Sequence, residues 1–196
     1  MPPIDIEEGF EPDAASFAYT ISNGGEVLAL APTEETAASG SRSLKFADQA
    51  GLKHSFDPHL VFMPRHQEGI TQASFDLEIG PGVEFHNDWH DNASPYLSGP
   101  SFVISGGVLR VAGQSLPLPM DQWIHFEIKA GLGAESTGTW EMTVLVAGEP
   151  PHRFTALPCQ AGWKTLDWLG FISNAAEPAV FYLDNVMIKN SLSKGK

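Results

Sequence analysis

Residues 72–79 alternate without a break: Ala73, Phe75, Leu77 and Ile79 are apolar, and Gln72, Ser74, Asp76 and Glu78 are polar. A period of two sends successive side chains to opposite faces of a strand, so this stretch predicts a strand buried on one side only. The pattern recurs at 123–130, with Ile124, Phe126, Ile128 and Ala130 set against Trp123, His125, Glu127 and Lys129. It recurs again at 139–147, where Trp140, Met142, Val144 and Val146 align. Short apolar runs at 17–21, 26–30, 42–46, 60–63, 83–86, 102–105, 108–112, 152–157, 166–173 and 180–188 predict further strands. Gly106-Gly107 reads as a hairpin turn, and Gly80-Pro81-Gly82 and Gly148-Glu149-Pro150-Pro151 as turns. No segment has a helical period, and 34–38 would form one turn at most. About a dozen strands of this kind predict an all-β fold, a two-sheet antiparallel β-sandwich of jelly-roll type. Apolar stretches near both ends predict that the first and last strands pair. The stretch 87–99, rich in Asn, Asp, Ser and Pro, reads as the longest loop in the body of the domain.

Composition narrows the picture. A chain of 196 residues is one domain's length, here taken as 1–189, with 190–196 a polar tail or the start of a linker. Hydrophobic content of 42% against 18% charged residues argues against disorder. The formal net charge of -13 opposes nucleic acid, whose phosphates need Lys and Arg. It also opposes anionic membranes and strongly acidic glycans, while neutral ligands and cations remain compatible. No apolar run approaches the roughly 20 residues of a membrane helix, and the first residues lack a secretion signal. Membrane insertion is not expected. Cys159 stands alone, so no internal disulfide forms and an inert core thiol is expected.

Several segments together resemble the concanavalin A-like, laminin-G-like jelly-roll superfamily, which includes carbohydrate-binding modules. They are Glu8-Gly9-Phe10-Glu11, the Ala38-Ser39-Gly40-Ser41-Arg42 stretch leading to Phe46, and Gly99-Pro100-Ser101-Phe102, followed by the strands beginning at Trp123 and Thr139 and by Phe181-Tyr182-Leu183-Asp184-Asn185-Val186. The resemblance spans nearly the whole chain. It implies a module of a larger extracellular or cell-surface protein. It also implies a structural calcium ion where the first and last strands meet. The matching ligands are Glu8 or Glu11, a carbonyl at Gly40 or Ser41, and Asp184, an oxygen set that suits calcium.

Two groups of residues carry candidate chemistry. Asp76 and Glu78 share a strand face with His125 in prospect beside them. Laminarinase-type glycanases of this superfamily carry three acids at alternate positions, but here Ser74 occupies the nucleophile's place, which disfavours hydrolysis. The second group is His86, Asp88, Trp89 and His90, with Tyr96 nearby. An aromatic ring on a polar loop stacks on a sugar's apolar face while His and Asp bond its hydroxyls. The same histidines invite a zinc reading, but no distant ligand completes it. A lyase would need a base beside a group that neutralises a uronate, and His125, Tyr96, Arg110 and Gln72 supply the types. The resulting expectation is a non-catalytic carbohydrate-binding module whose partner is a glycan. The alternatives are a jelly-roll lyase or hydrolase, and a structural or protein-interaction domain without a sugar site.

Overall fold

The computed structural model describes residues 3–12 and 19–192. Fifteen strands among these residues form two antiparallel sheets packed face to face. The larger sheet contains β1 (Ile6–Glu8), β3 (Leu30–Thr33), β4 (Ser43–Asp48), β6 (Gly69–Ile79), β11 (Trp123–Leu132), β12 (Thr139–Val146), β13 (His152–Pro158) and β15 (Ala179–Asn190). Its order is β13-β12-β11-β6-β15-β4-β3, with β1 also on β15. The smaller sheet contains β2 (Tyr19–Ser22), β5 (His59–Phe62), β7 (Glu84–His90), β8 (Ser98–Ser105), β9 (Val108–Val111), β10 (Gln114–Pro117) and β14 (Trp168–Ser173). Its order is β10-β9-β8-β7-β14-β5-β2.

The three alternating segments form β6, β11 and β12, and their apolar rows face inward. Phe75, Leu77, Ile124, Phe126 and Val144 are all buried. Aromatic rings join the two layers. Phe75 of the larger sheet meets Phe171 of the smaller edge-on, with centroids 5.0 Å apart, and Phe181 meets Phe85 at 5.3 Å. Such pairs add to area burial because ring edge and ring face carry opposite partial charge.

Three expectations are revised. Residues 26–30 do not form a strand: Val27–Ala29 make a single 3₁₀ turn, and β3 follows at Leu30. The hairpin partner β10 has little apolar content and was missed. Most consequentially, 87–90 is no loop. The alternation runs on through β7, with Phe85, Asn87 and Trp89 inward and Glu84, His86, Asp88 and His90 outward. Asn87 hides the pattern because it is a polar residue in the inward row. Burying it is tolerated because its amide donates to the Gly170 carbonyl at 2.9 Å and its oxygen accepts from Trp89 Nε1 at 3.2 Å. The strand candidate at 17–21 lies partly outside the described residues, as does the 190–196 tail; β15 itself runs to Asn190.

The ends of the chain do meet. Ile6 pairs with Ile188, Glu7 with Met187 and Glu8 with Val186. β4 pairs with the earlier part of β15, from Ala179 to Leu183. β1 and β4 therefore lie end to end along one edge of β15. The change of partner coincides with a register shift after Asp184, where Asn185 has a positive φ of 51°. Asn tolerates this left-handed conformation better than most residues.

Candidate functional site

The polar rows of the larger sheet lie side by side on its outer face. Cross-strand pairing aligns Trp123, Glu78, Tyr182 and Lys45 in one row. The next contains His125, Asp76 and Asp184, and the next Glu127, Ser74 and Met187. A groove of about 510 Å³ follows this face, lined by Gln72, Ser74, His125, Glu127, Lys129 and Thr143 among others.

Most of these side chains are fixed by a neighbour. His125 Nδ1 donates to Asp76 Oδ1 at 2.7 Å, and Asn185 Nδ2 donates to Asp76 Oδ2 at 2.6 Å. The bulge at Asn185 is what brings its amide to this face beside Asp184. Hydrogen bonding to Asp76 holds the His125 imidazolium above its ordinary range, against the opposing effect of burial. Glu78 moves upward too, chiefly through burial, although Thr36 Oγ1 donates to it at 3.2 Å. The same hydroxyl accepts from Trp123 Nε1 at 3.2 Å. Tyr182 donates to Glu35 Oε2 at 2.7 Å, and burial with that carboxylate pushes its phenol up to about 12. Residues 34–42 therefore form a wall over one end of the face.

That wall is anchored at its base by the terminal acids. Asp184 is fully buried and accepts backbone N–H bonds from Ala38 at 2.9 Å, Ser39 at 3.1 Å and Asn185 at 2.7 Å. Burial still pushes its carboxyl above the usual range, and Asp76 across the strand acts the same way. Glu11 accepts from Ser41 N at 2.7 Å, Ser41 Oγ at 2.7 Å and Arg42 N at 2.9 Å, and these bonds lower its pKa. Glu8 is buried and accepts from Phe10 N at 2.7 Å. Gly40 has φ of 65°, and a Cβ there would overlap the Glu11 carboxylate as it stands, so glycine suits the position. Glu8, Glu11, Gly40 and Asp184 thus gather where the first and last strands meet. As a calcium site they fit poorly. All four oxygens of Glu11 and Asp184 already accept hydrogen bonds. Among the described residues no three His, Cys, Asp or Glu side chains are grouped to hold a metal ion.

The second group of candidates is on the opposite sheet. Trp89 has no exposed surface, so its ring cannot stack on a sugar and that expectation is withdrawn. His86, Asp88 and His90 share the outer face of β7. His86 Nε2 meets Ser101 Oγ at 3.0 Å, and burial lowers its pKa. His90 Nε2 bonds Asp88 Oδ2. Tyr96 is 53% exposed in the loop between β7 and β8. The four lyase-type residues do not converge, since His125 and Gln72 are on the larger sheet while Tyr96 and Arg110 belong to the smaller. Trp123, Tyr182 and Thr36, which flank Asp76 and Glu78, were not singled out as ligands. The alternation alone placed Trp123 on the polar face. Nothing in the sequence placed Thr36 over it.

No family model matches the chain, and no curated protein matches it in sequence. Solved structures do match in shape. An endo-β-1,4-glucuronan lyase from the fungus Trichoderma reesei superposes with a TM-score of 0.65 at 8% identity, covering 95% of each chain. An alginate lyase from Aplysia kurodai gives 0.53 at 13% identity, over 83% of this chain and 87% of that one. A xylan-binding domain of a Paenibacillus barcinonensis protein gives 0.50 at 12% identity, over 98% and 97%. At such identities these likenesses speak to the fold alone, a β-sandwich shared with carbohydrate-active enzymes and with carbohydrate-binding modules.

Proposed function

We propose that this protein is a carbohydrate-binding module that holds a glycan chain along the outer face of its larger sheet. The observation that carries this reading is the groove there, lined by the polar side chains of Gln72, Ser74, His125 and Thr143, with His125 held by Asp76. Binding such a ligand requires hydroxyl partners and a ring or two, held without further ordering cost. Gln72 and His125 in the groove, with Asp76 and Glu78 in the adjoining rows of the same face, supply the first, and the half-buried Trp123 and Tyr182 beside them supply the second. The solved structures of similar shape act on or bind glucuronan, alginate and xylan, which supports the ligand class. An extracellular or cell-surface setting, as part of a larger protein, accords with this role.

The test is retention on a panel of insoluble polysaccharides, with soluble oligosaccharides titrated by calorimetry. Wild type is expected to bind at least one glycan, and Trp123→Ala to weaken it about tenfold, roughly the loss of one stacking contact. Absence of binding across neutral and acidic glycans would end this reading in favour of a structural or protein-interaction domain.

One observation favours a second reading, a polysaccharide lyase. The Asp76–His125 pair is the kind of oriented imidazole that moves a proton in β-elimination. Under that reading His125 Nε2 would take the proton α to a uronate carboxyl while the glycosidic C–O bond at the β carbon breaks, its oxygen leaving as a hydroxyl of the other fragment with a proton from water, and unsaturated product absorbing near 235 nm would accumulate on a uronan and vanish in His125→Ala. Binding without such product keeps the module reading.

A further inference from the structure

Three rings form a parallel column on the outer face of the smaller sheet. His90 lies between Tyr96, with centroids 3.9 Å apart at 12°, and Trp168, at 4.3 Å and 7°. Each ring of the column has a support of its own. Asp88 fixes the His90 imidazole. Trp168 lies across Gly170, where even a methyl group would overlap its ring. Tyr96 projects from a loop closed on itself, in which Asp91 Oδ1 accepts from Ala93 N at 3.1 Å and Leu97 N at 2.8 Å, and Asp91 N donates to the Leu97 carbonyl at 3.1 Å. Tyr96, 53% exposed, is thus supported on one face by His90 and at its base by its own loop.

Beside the column is a groove of about 620 Å³, bordered by Arg65, Gln67, Asn92 and Asp167. Asp167 directly precedes Trp168, and its N–H donates to the His90 carbonyl at 2.9 Å, so groove and column are adjoining. Asn92 belongs to the loop that carries Tyr96. Gln67 Nε2 is held by both Asp167 oxygens at 3.3 Å.

We propose that the Tyr96–His90–Trp168 column and this groove form a second glycan site, taking a neutral pyranose residue on the free face of Tyr96. The apolar C–H face of a pyranose continues the stack as a fourth layer, and the planar polar groups of Gln67, Asn92 and Asp167 meet its hydroxyls. The charge around it favours a neutral sugar: Glu68 and Asp167 in the groove, with Asp88 and Asp91 beside the column, stand against Arg65. The rigid mounting matters energetically, since a ring already in place loses little entropy on binding. This site shares only its ligand class with the reading above, and none of its residues.

The experiment is NMR of the full chain with cellohexaose, xylohexaose, mannohexaose and, as the acidic comparison, a hexauronate. The Trp168 indole and His90 imidazole resonances are expected to shift with a neutral hexasaccharide and not with the hexauronate. Tyr96→Ala should weaken that response about tenfold, while Tyr96→Phe, which keeps the ring, should retain it. Trp123→Ala should leave it intact, which separates this site from the groove on the larger sheet. Lack of any shift at Trp168 and His90, or a shift unchanged in Tyr96→Ala, would overturn the second site. No shift at the Trp123 indole, with a shift persisting at Trp168, would overturn the first reading alone.

Discussion

Trp89 and Trp123 occupy opposite rows of their strands, and that determines what each does. Trp89 is in the inward row of β7 and is wholly enclosed. Truncating a buried ring of this size removes its transfer energy and leaves a cavity, so Trp89→Ala should cost about 3–5 kcal/mol in denaturant unfolding. Trp123 is in the outward row of β11 and its removal should cost much less. His125, two residues on in the same row, makes a pH-dependent prediction. Its folded pKa stands above the ordinary 6.5 because of Asp76. A histidine raised in the folded state contributes stability that is fully present below its unfolded value and disappears as pH rises through the folded one. Wild type should therefore exceed His125→Gln in stability at pH 6 by more than at pH 8. NMR titration should place His125 above about 6.5 in wild type and lower in Asp76→Asn. A His125 pKa unmoved by Asp76→Asn would refute the pairing.

At the scale of elements, the junction of β1, β4 and β15 is tied by carboxylates rather than by strand pairing alone. β1 and β4 meet end to end there, and the backbone N–H groups of 38–42 have no sheet partner across the gap. Asp184 and Glu11 accept from them instead. Asp184→Ala would leave Ala38, Ser39 and Asn185 N–H groups unpaired at about 1–3 kcal/mol each where water is excluded. A fall in Tm of several degrees is expected, equal in size with chelator and with added calcium. A wild-type Tm raised by calcium and unresponsive in Asp184→Ala would assign the ion to this junction after all. The pairing of the ends and the three alternating strands were legible in the sequence because burial on one face imposes a period of two. The site was less so. Asn87 broke the visible alternation in β7, and the polar composition of 87–99 then read as a loop. The wall over Glu78 depends on hydrogen bonds between residues some 40 or more apart, such as Thr36 with Glu78 and Trp123, and no local pattern encodes those.

On the scale of the whole molecule, charge decides between classes of ligand. The chain carries 24 Asp and Glu against 11 Lys and Arg. The groove on the larger sheet does contain Lys129, but Glu141 takes it at 3.2 Å, and Lys45 is held by Glu35 at 2.7 Å. A polyanionic chain entering this face would meet Glu78, Asp76 and Glu127 with few free cations to balance them. A neutral chain meets the same carboxylates as hydrogen-bond acceptors for its hydroxyls, which incurs no charge penalty. Neutral binding should accordingly be nearly independent of ionic strength, because no counterions are exchanged and the contacts are shorter than the screening length. Retention on a neutral polysaccharide at about 50 mM salt should match that at about 500 mM, where the Debye length falls several-fold. Polyanionic glycans should show no retention at low salt. If an acidic glycan instead binds and is released by salt, local cations outweigh the net charge, and the Asp76–His125 pair gains weight as uronate-directed chemistry.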